Sequence, residues 1–591
     1  MRMIIEFGMN HIMNYQRADG TIYRLPLIHR KPRILFKTQN APITLRFRFT
    51  CPNESCICRI NAFDRTKYGL KGSCIYRRDI RFIDSCLFIR SSLSNMISDL
   101  HIAGKKEKLP IESTFRATYE YSLKMGYSHE QFVVLTGPSL DIPYEFCTDY
   151  AKLENTIHPP PPAAFQSLLT NKQCLDDDQY ANFIRVWHLF GIENLLQLYQ
   201  IYASVDVTSM ADAIIFFFNK LHLICGLYPS HFVTLSGLAL DSMLANCTSP
   251  ANSHKSIFIP FLSERVYNLF KKGLIGGFAS NQCYYADFNF GLCPPELRGV
   301  SHDSTKIETF LSSNDVSTAS YVDVNSLYLS CQQTPLPYRN FSILDSENNT
   351  PTFRYISKQL MAGNCAYFAD MAKYENKGFF IECSMTYNHE DSLEFSIDLS
   401  GFPALKRVTM DMFTSDQKQD FLAKGINVDK TLPKLVSTFD QNMEICDFSD
   451  CILFLVVQGC CKITRIESIT IFEQRRFMSK YMDKLAVHRR QATSQTESKL
   501  CKNLGNCVTG KMHQKIDCYN SISIVTDKQQ FLKACNNVDF MDFYPMSSDA
   551  CLVVSDGISV VCRNLPMISA RVYRYRLGKS IPDCQYGSFE K

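Results

Sequence analysis

Two short stretches hold residue types at spacings that suit phosphoryl transfer. The first is Tyr321-Val322-Asp323-Val324-Asn325-Ser326-Leu327-Tyr328. Read as an apolar strand, it delivers one carboxylate, Asp323, at its end. A tight turn then presents backbone N–H groups and the ring of Tyr328. A carboxylate can hold Mg²⁺, neighbouring amides a triphosphate, and a flat ring can pack under a sugar. The plain alternative is an ordinary strand-to-turn in which Asp323 only caps the turn.

The second stretch runs from Lys502 to Lys511. Asn506 follows Lys502 at +4 and Gly510 at +8. On a helix this spacing aligns the three along one stripe. A cation there meets phosphate oxygens, and a glycine lets a base pair or a backbone come close. Arg490 lies 12 residues upstream and adds a second cation to that face if the helix continues or hairpins. A solvated basic helix is the plain alternative for Lys502 taken alone.

Other residues carry weaker signals. His222 and His231 flank a turn and read as packing or capping groups. Glu382 sits in Phe380-Ile381-Glu382 and reads as a strand carboxylate paired with a nearby lysine. Cys51, Cys56 and Cys58 form a tight group, but no Cys/His pair follows at zinc-site spacing. Near the N-terminus, Arg24, Arg30, Lys31, Arg33, Lys37, Arg46 and Arg48 cluster around Phe36, Phe47 and Phe49. Thr44 to Phe49 alternates like a strand with one basic face, either a solvated edge or a phosphate-contacting surface.

The elements that position these groups need a large chain, and this one has 591 residues, enough for several domains. Apolar residues make up 46%, which excludes wholesale disorder. With 63 basic and 58 acidic residues, any basic surface must be local. The 25 cysteines are scattered through apolar segments, which reads as reduced thiols in an intracellular, non-secreted protein. The apolar run from Ala213 to Tyr228 is interrupted by Asn219, Lys220 and His222, so no membrane segment is expected.

Coarse patterning gives a basic region over 1–80 and alternating short strands and helices over 80–250. Ile80 to Asp84 reads as a strand and Ser91 to Leu100 as the start of a helix. Asp176 to Ile201 and Val207 to Cys225 read as two helices, with Asp206 as an N-cap of the second. Residues 250–300 read as a glycine-bearing link. Cys451 to Gln458 reads as a strand, 477–515 as a helical pair, and strands follow to the end.

Taken together, these blocks resemble family B DNA polymerases, specifically the protein-primed branch of some phages, adenoviruses and Polinton/Maverick-type elements. Asp323 to Tyr328 is similar to motif A (D-x-x-S-L-Y-P), with Leu329 in place of the Pro. Lys502 to Gly510 is similar to motif B (K-x-x-x-N-S-x-Y-G), with Cys507 for Ser and Thr509 for Tyr. Lys271 to Gly277 resembles the Y-x-G-G link, with Leu274 for Tyr, and so offers Gly276 and Gly277 as DNA-binding positions. Further stretches keep the order of the Maverick group over roughly 80–580, including Phe82 to Ser85, Pro159 to Trp187, Tyr202 to Val207, Gly226 to Phe232 and Pro335 to Pro337.

The resemblance implies an α+β multidomain chain. An RNase H-like exonuclease-type domain (81–260) would precede a linker (261–320), a right-hand palm with an insertion (321–450) and fingers (451–520). The palm remainder (521–591) and an incomplete thumb would follow. It implies that Asp323 holds catalytic Mg²⁺ and that Lys502 and Arg490 bind the incoming deoxynucleoside triphosphate. Tyr328 would be the steric gate against a 2′-OH, and Asn506 and Gly510 would line the nascent base pair. The implied partners are template-primer DNA, deoxynucleotides and, for this branch, a terminal protein primer.

A second metal-binding carboxylate is normally supplied by a D-T-D hairpin after motif B, and no such triplet follows Lys502. Either Ser547-Ser548-Asp549 serves, with Asp549 as second ligand, or the chain stops before that motif; Asp583 is a remote third choice. Tyr202 and Asp206 have the Y-x-x-x-D spacing of the third exonuclease motif, but its D-x-E and N-x-x-x-D companions are not visible in residues 1–150. The function implied is template-directed DNA synthesis in a viral or transposon-like replicon. The alternatives are a truncated or inactive polymerase-derived DNA-binding protein, or a single-strand-binding module built on residues 1–80. The geometry expected of the first is Asp323 at a strand end, facing the Lys502 helix across a cleft.

Overall fold

The computed structural model describes residues 14–16, 22–24, 33–38, 41–48, 79–137, 141–166, 174–247, 257–276, 326–387, 404–426, 433–436, 443–459, 461–514, 520–525, 527–546, 550–556 and 565–580. The chain divides into two compact units, each built from two stretches. The first combines residues 1–245 with 484–562; the second combines 246–483 with 563–591.

In the first unit, β1 (Asn14–Gln16) pairs with β2 (Ile22–Arg24). Strands β3 (Arg33–Thr38), β4 (Ala41–Arg48) and β5 (Asp79–Ile83) form an antiparallel sheet in the order β3-β4-β5. The basic stretch around β4 therefore shares one sheet with residues just beyond position 80. After β5 the described residues of this stretch are helical, not alternating. They comprise α1 (Leu93–Glu107), α2 (Ile111–Thr114), α3 (Arg116–Met125), α4 (His129–Leu135), α5 (Tyr150–Asn155), α6 (Asp177–Leu189), α7 (Leu195–Cys225) and α8 (Leu235–Cys247). An exonuclease-type sheet is not formed by the described residues between 84 and 247. The starts are well marked: Ser92, Ser128, Asp176 and Asn194 each cap a helix through the side chain.

The long helix α7 corrects two sequence readings. The break falls at 190–194, where Gly191 takes φ 59° and Asn194 caps, and not at 202–206. Asp206 thus lies inside a helix and is no N-cap. The fused helix of 31 residues is long and apolar enough, by length and composition, to cross a membrane. It packs against α1 and α3. Its Asp212, 5% exposed, accepts from the Ala117 and Thr118 amides at 2.7 and 3.0 Å and from the Thr118 hydroxyl at 2.8 Å. Helix α3 has no capping side chain of its own, so this carboxylate caps it from a distance. Phe165, Phe183, Trp187, Leu195 and Leu198 build one core beside this helix, and Ile97, Leu100, Phe115 and Phe132 another.

Residues 484–562 complete this unit. They hold most of α15 (Ser479–Gln491), then α16 (Gln495–Met512), β12 (Asn520–Val525), α17 (Lys528–Cys535), β13 (Phe540–Pro545) and β14 (Cys551–Asp556). The three strands pair antiparallel in the order β12-β14-β13. A helical pair was expected over 477–515 and is found.

The second unit is organised by a four-stranded antiparallel sheet in the order β10-β7-β11-β6, with β6 (Leu336–Asp345), β7 (Lys377–Tyr387), β10 (Met443–Phe448) and β11 (Cys461–Arg475). Strand β7 is buried on both faces, which its apolar run Phe379-Phe380-Ile381 reflects. Phe379, Ile381 and Cys383 face one core with α11 (Pro351–Met361), α12 (Cys365–Tyr374) and α14 (Ser449–Val457). Phe380 faces the other way. Its ring lies 4.5 Å from that of Phe270 on α9 (Glu264–Lys272), a helix inside the expected link. The rings of Phe341, Phe448 and Phe472 complete that cluster.

Helix α14 replaces the strand expected at 451–458. A fully apolar run has no periodicity to separate a buried helix from a buried strand. Helix α10 (Leu327–Gln332) precedes the sheet, and α13 (Ser415–Ala423) follows β8 (Ala404–Lys406), which pairs with β9 (Lys434–Val436). Helix α18 (Pro566–Ser580) returns to this unit, where strands were expected, and packs on α9, α10 and β6.

Candidate active site

Helix α16 places the second motif. Ser494 accepts from the Glu497 amide and starts the helix, while the Glu497 carboxylate takes the Thr493 amide at 2.8 Å and its hydroxyl at 2.9 Å. Burial works against the charge on Glu497. The Thr493 hydrogen bonds and the Lys220 ammonium at 3.4 Å outweigh it, and the carboxyl lies below its usual value. Leu500, Leu504, Val508 and Met512 face inward. Lys502 and Gly510 are exposed and Asn506 half-buried, so the three share one outward stripe, as their spacing required.

Arg490 is exposed in the last turn of α15, four residues before Ser494, the cap of α16. Neither Lys502 nor Arg490 has a carboxylate partner among the described residues. A Cβ placed on Gly510 would meet nothing within 4 Å. Packing against the described residues therefore does not require this glycine, and the space above it is open among them. Lys511 turns aside to the amide oxygen of Gln514.

In the second unit, Ser326 adopts the left-handed conformation (φ 56°) and turns the chain into α10. This is the tight turn expected after the first motif. The half-buried ring of Tyr328 meets that of Tyr573 on α18 edge-on, with centroids 6.1 Å apart. Sequence reasoning missed Tyr573 because 245 positions separate it from Tyr328. Asp323 and Asp549 lie outside the described residues, as do Gly277, Asp583 and the Cys51, Cys56 and Cys58 group. The expected meeting of Asp323 with the Lys502 helix therefore falls outside them too.

Mg²⁺ would need convergent carboxylates. Among the described residues no group of three or more His, Cys, Asp or Glu side chains could hold a metal ion. Tyr202 and Asp206 stand one helical turn apart in the interior of α7. The Tyr202 hydroxyl accepts from Tyr144 at 2.7 Å. Among the described residues Asp206 belongs to no group of three or more metal-ligating side chains.

Other candidates resolve into structure. Glu382 on β7 receives Lys272 at 2.7 Å and the Ser468 hydroxyl at 3.1 Å, the lysine pairing expected of it. That hydrogen bond raises the pKa of Lys272. His222 stacks on Tyr228 with centroids 4.0 Å apart, and the ring of His231 lies 6.0 Å from Tyr228. Burial pushes the thiols of Cys225 and Cys501 up to about 11, so they are protonated and weak nucleophiles near neutral pH. In the glycine link, Gly276 is half-buried, and an added Cβ would lie 3.9 Å from Leu435. Gly273 is the constrained one: a Cβ there would stand 2.5 Å from Phe380 and 2.8 Å from the Cys446 carbonyl.

No protein-family model matches the chain, and no curated protein does. Among solved structures, it is similar to phi29 DNA polymerase complexed with primer-template DNA and incoming nucleotide substrates, at 12% identity and a TM-score of 0.43. That match covers 98% of this chain and 65% of the other. It is also similar to phi29 DNA polymerase complexed with single-stranded DNA, at 11% identity and a TM-score of 0.42. The chain thus spans about 65% of the length of that polymerase.

Proposed function

We propose that this chain is a DNA-directed DNA polymerase, or the corresponding part of one, of the family B type. It would transfer deoxynucleotides to a primer 3′-OH on a DNA template. The observation that carries the reading is the outward stripe of α16. Lys502 offers an ammonium without a carboxylate partner among the described residues, Asn506 a half-buried amide, and Gly510, one turn further on, a Cβ position that no described residue approaches. Lys502 and Arg490 bind the triphosphate through their charges. Asn506 and Gly510 lie along the nascent base pair. Tyr328, held edge-on by Tyr573, excludes a 2′-OH by its bulk. Asp323, with Asp549, is assigned to Mg²⁺. A protein-primed start in a viral or transposon-like replicon within the cell belongs to the same proposal.

Primer extension tests it. The full chain is given a primed template, deoxynucleotides and Mg²⁺ or Mn²⁺. Incorporation that Asp323→Asn abolishes supports the enzyme. Salt-sensitive DNA binding with no incorporation under either metal overturns it in favour of a DNA-binding protein without catalysis.

A further inference from the structure

A second cationic feature lies in the first unit, beside the stripe just described. Ile89, Arg90 and Ser91, just before α1, and Thr496, Lys499, Leu500 and Asn503 of α16 line one shallow, solvent-open notch. Its floor is apolar, made by buried Ile89 and Leu500. Its rim is polar. The Ser91 and Thr496 hydroxyls stand 3.4 Å apart across a sequence separation of 405 residues.

None of the lining residues is acidic. Arg90 and Lys499 are exposed and have no carboxylate partner among the described residues, and the Asn503 amide has no hydrogen-bond partner there. The nearest carboxylate along the helix, Glu497, is already taken by Lys220 and Thr493. Two like charges held at one concave place repel each other unless an anion joins them. Helix α1, 15 residues long, starts at Leu93 and adds the positive end of its dipole on the same side.

We propose that this notch binds a phosphate group. Arg90 and Lys499 supply the charge, and one hydroxyl of the hydrogen-bonded Ser91–Thr496 pair and the Asn503 amide supply neutral donors. Arg90 offers a planar fork and Lys499 a point charge, so together they surround a tetrahedral oxyanion from two segments. The site does not depend on the polymerase reading. The phosphate comes either from the free ion or from a single-stranded DNA backbone, and the experiment separates the two.

Binding of inorganic phosphate and of a ten-nucleotide oligothymidylate is measured by calorimetry at low salt. The full chain carries Lys502→Gln throughout, so that the neighbouring stripe does not contribute. Adding Arg90→Gln and Lys499→Gln is expected to weaken binding about tenfold or more, the loss of two charge-assisted contacts. Lys105→Gln, the same charge change at the far end of α1, leaves binding unaltered. Both sites are exposed, and an unchanged melting temperature verifies folding. Loss with free phosphate identifies the ion as ligand, and loss with the oligonucleotide alone identifies the backbone. Affinity of the double variant equal to that of the Lys502→Gln parent for both probes overturns the proposal, as does an equal loss in Lys105→Gln.

Discussion

Arg574 and Asp447 meet at 2.8 Å inside the second unit, with each side chain only 4% exposed. The pair ties α18 to β10. Burial pushes the Asp447 carboxyl upward, while the Arg574 guanidinium and the Phe448 amide, donating at 2.7 Å, pull it down. Arg571, one turn earlier, donates to Asp450 at 2.6 Å and lies over the Phe448 ring. Two arginines of one helix thus hold two carboxylates at the corner between β10 and α14.

Removing one partner leaves a charge buried without its mate. Arg574→Ala is expected to destabilise the protein by about 3–5 kcal/mol. The double change Arg574→Met with Asp447→Leu removes both charges and recovers most of that loss. Urea denaturation midpoints of the three chains check the ordering.

Gly510 and Gly273 give opposite expectations for one substitution. Gly510→Ala meets open space in a helix and gains about 0.5–1 kcal/mol of stability. If a base pair passes over that position, the same change lowers primer extension. Gly273→Ala drives a methyl group into Phe380 and costs about 1–3 kcal/mol. Thermal melting and extension rates, measured on both variants, separate a functional glycine from a packing one.

Lys502→Ala and Arg490→Ala change exposed side chains, so stability stays within about 0.5 kcal/mol of the parent. Each is expected to reduce kcat/KM for the deoxynucleotide about 10–100-fold, the value of a lost charge-assisted hydrogen bond. Single-nucleotide incorporation kinetics provide the measurement. An unchanged kcat/KM in both variants removes the stripe from the site.

Glu497 gives the first unit an acid-sensitive element. Its folded pKa is depressed, so the stabilisation is present above the unfolded carboxylate range near ~4.3 and is lost as pH falls through the folded value. Melting temperature against pH should fall more steeply below that range in the parent chain than in Glu497→Gln. Parallel curves would show that the carboxylate makes no such contribution.

The sequence was most legible where periodicity and capping agree. The Lys502–Asn506–Gly510 stripe, the helix after Ser92 and the strand ending at Ile83 all stand where local signals put them. It was least legible where the apolar pattern loses its period. Cys451 to Val457 forms a helix under a sheet, and the residues on either side of Asp206 fuse into one helix. The Tyr328–Tyr573 contact and the Arg574–Asp447 pair were invisible for another reason: they join residues more than a hundred positions apart, and no local rule links them. Glu382 and Lys272 show the middle case, a strand carboxylate whose partner type was legible but whose position was not.

Each unit is finished by chain that emerges late in synthesis. The sheet around β7 waits for residues 566–574 before its ion pairs and the Met567–Val572 face can close, and the helices around α7 wait for α16. On the ribosome, each unit therefore lacks one of its two stretches until residues beyond 483 have emerged. A nascent chain halted between residues 250 and 480 has the helical cores of the first unit in place but lacks α16, and with it Glu497, the partner of Lys220.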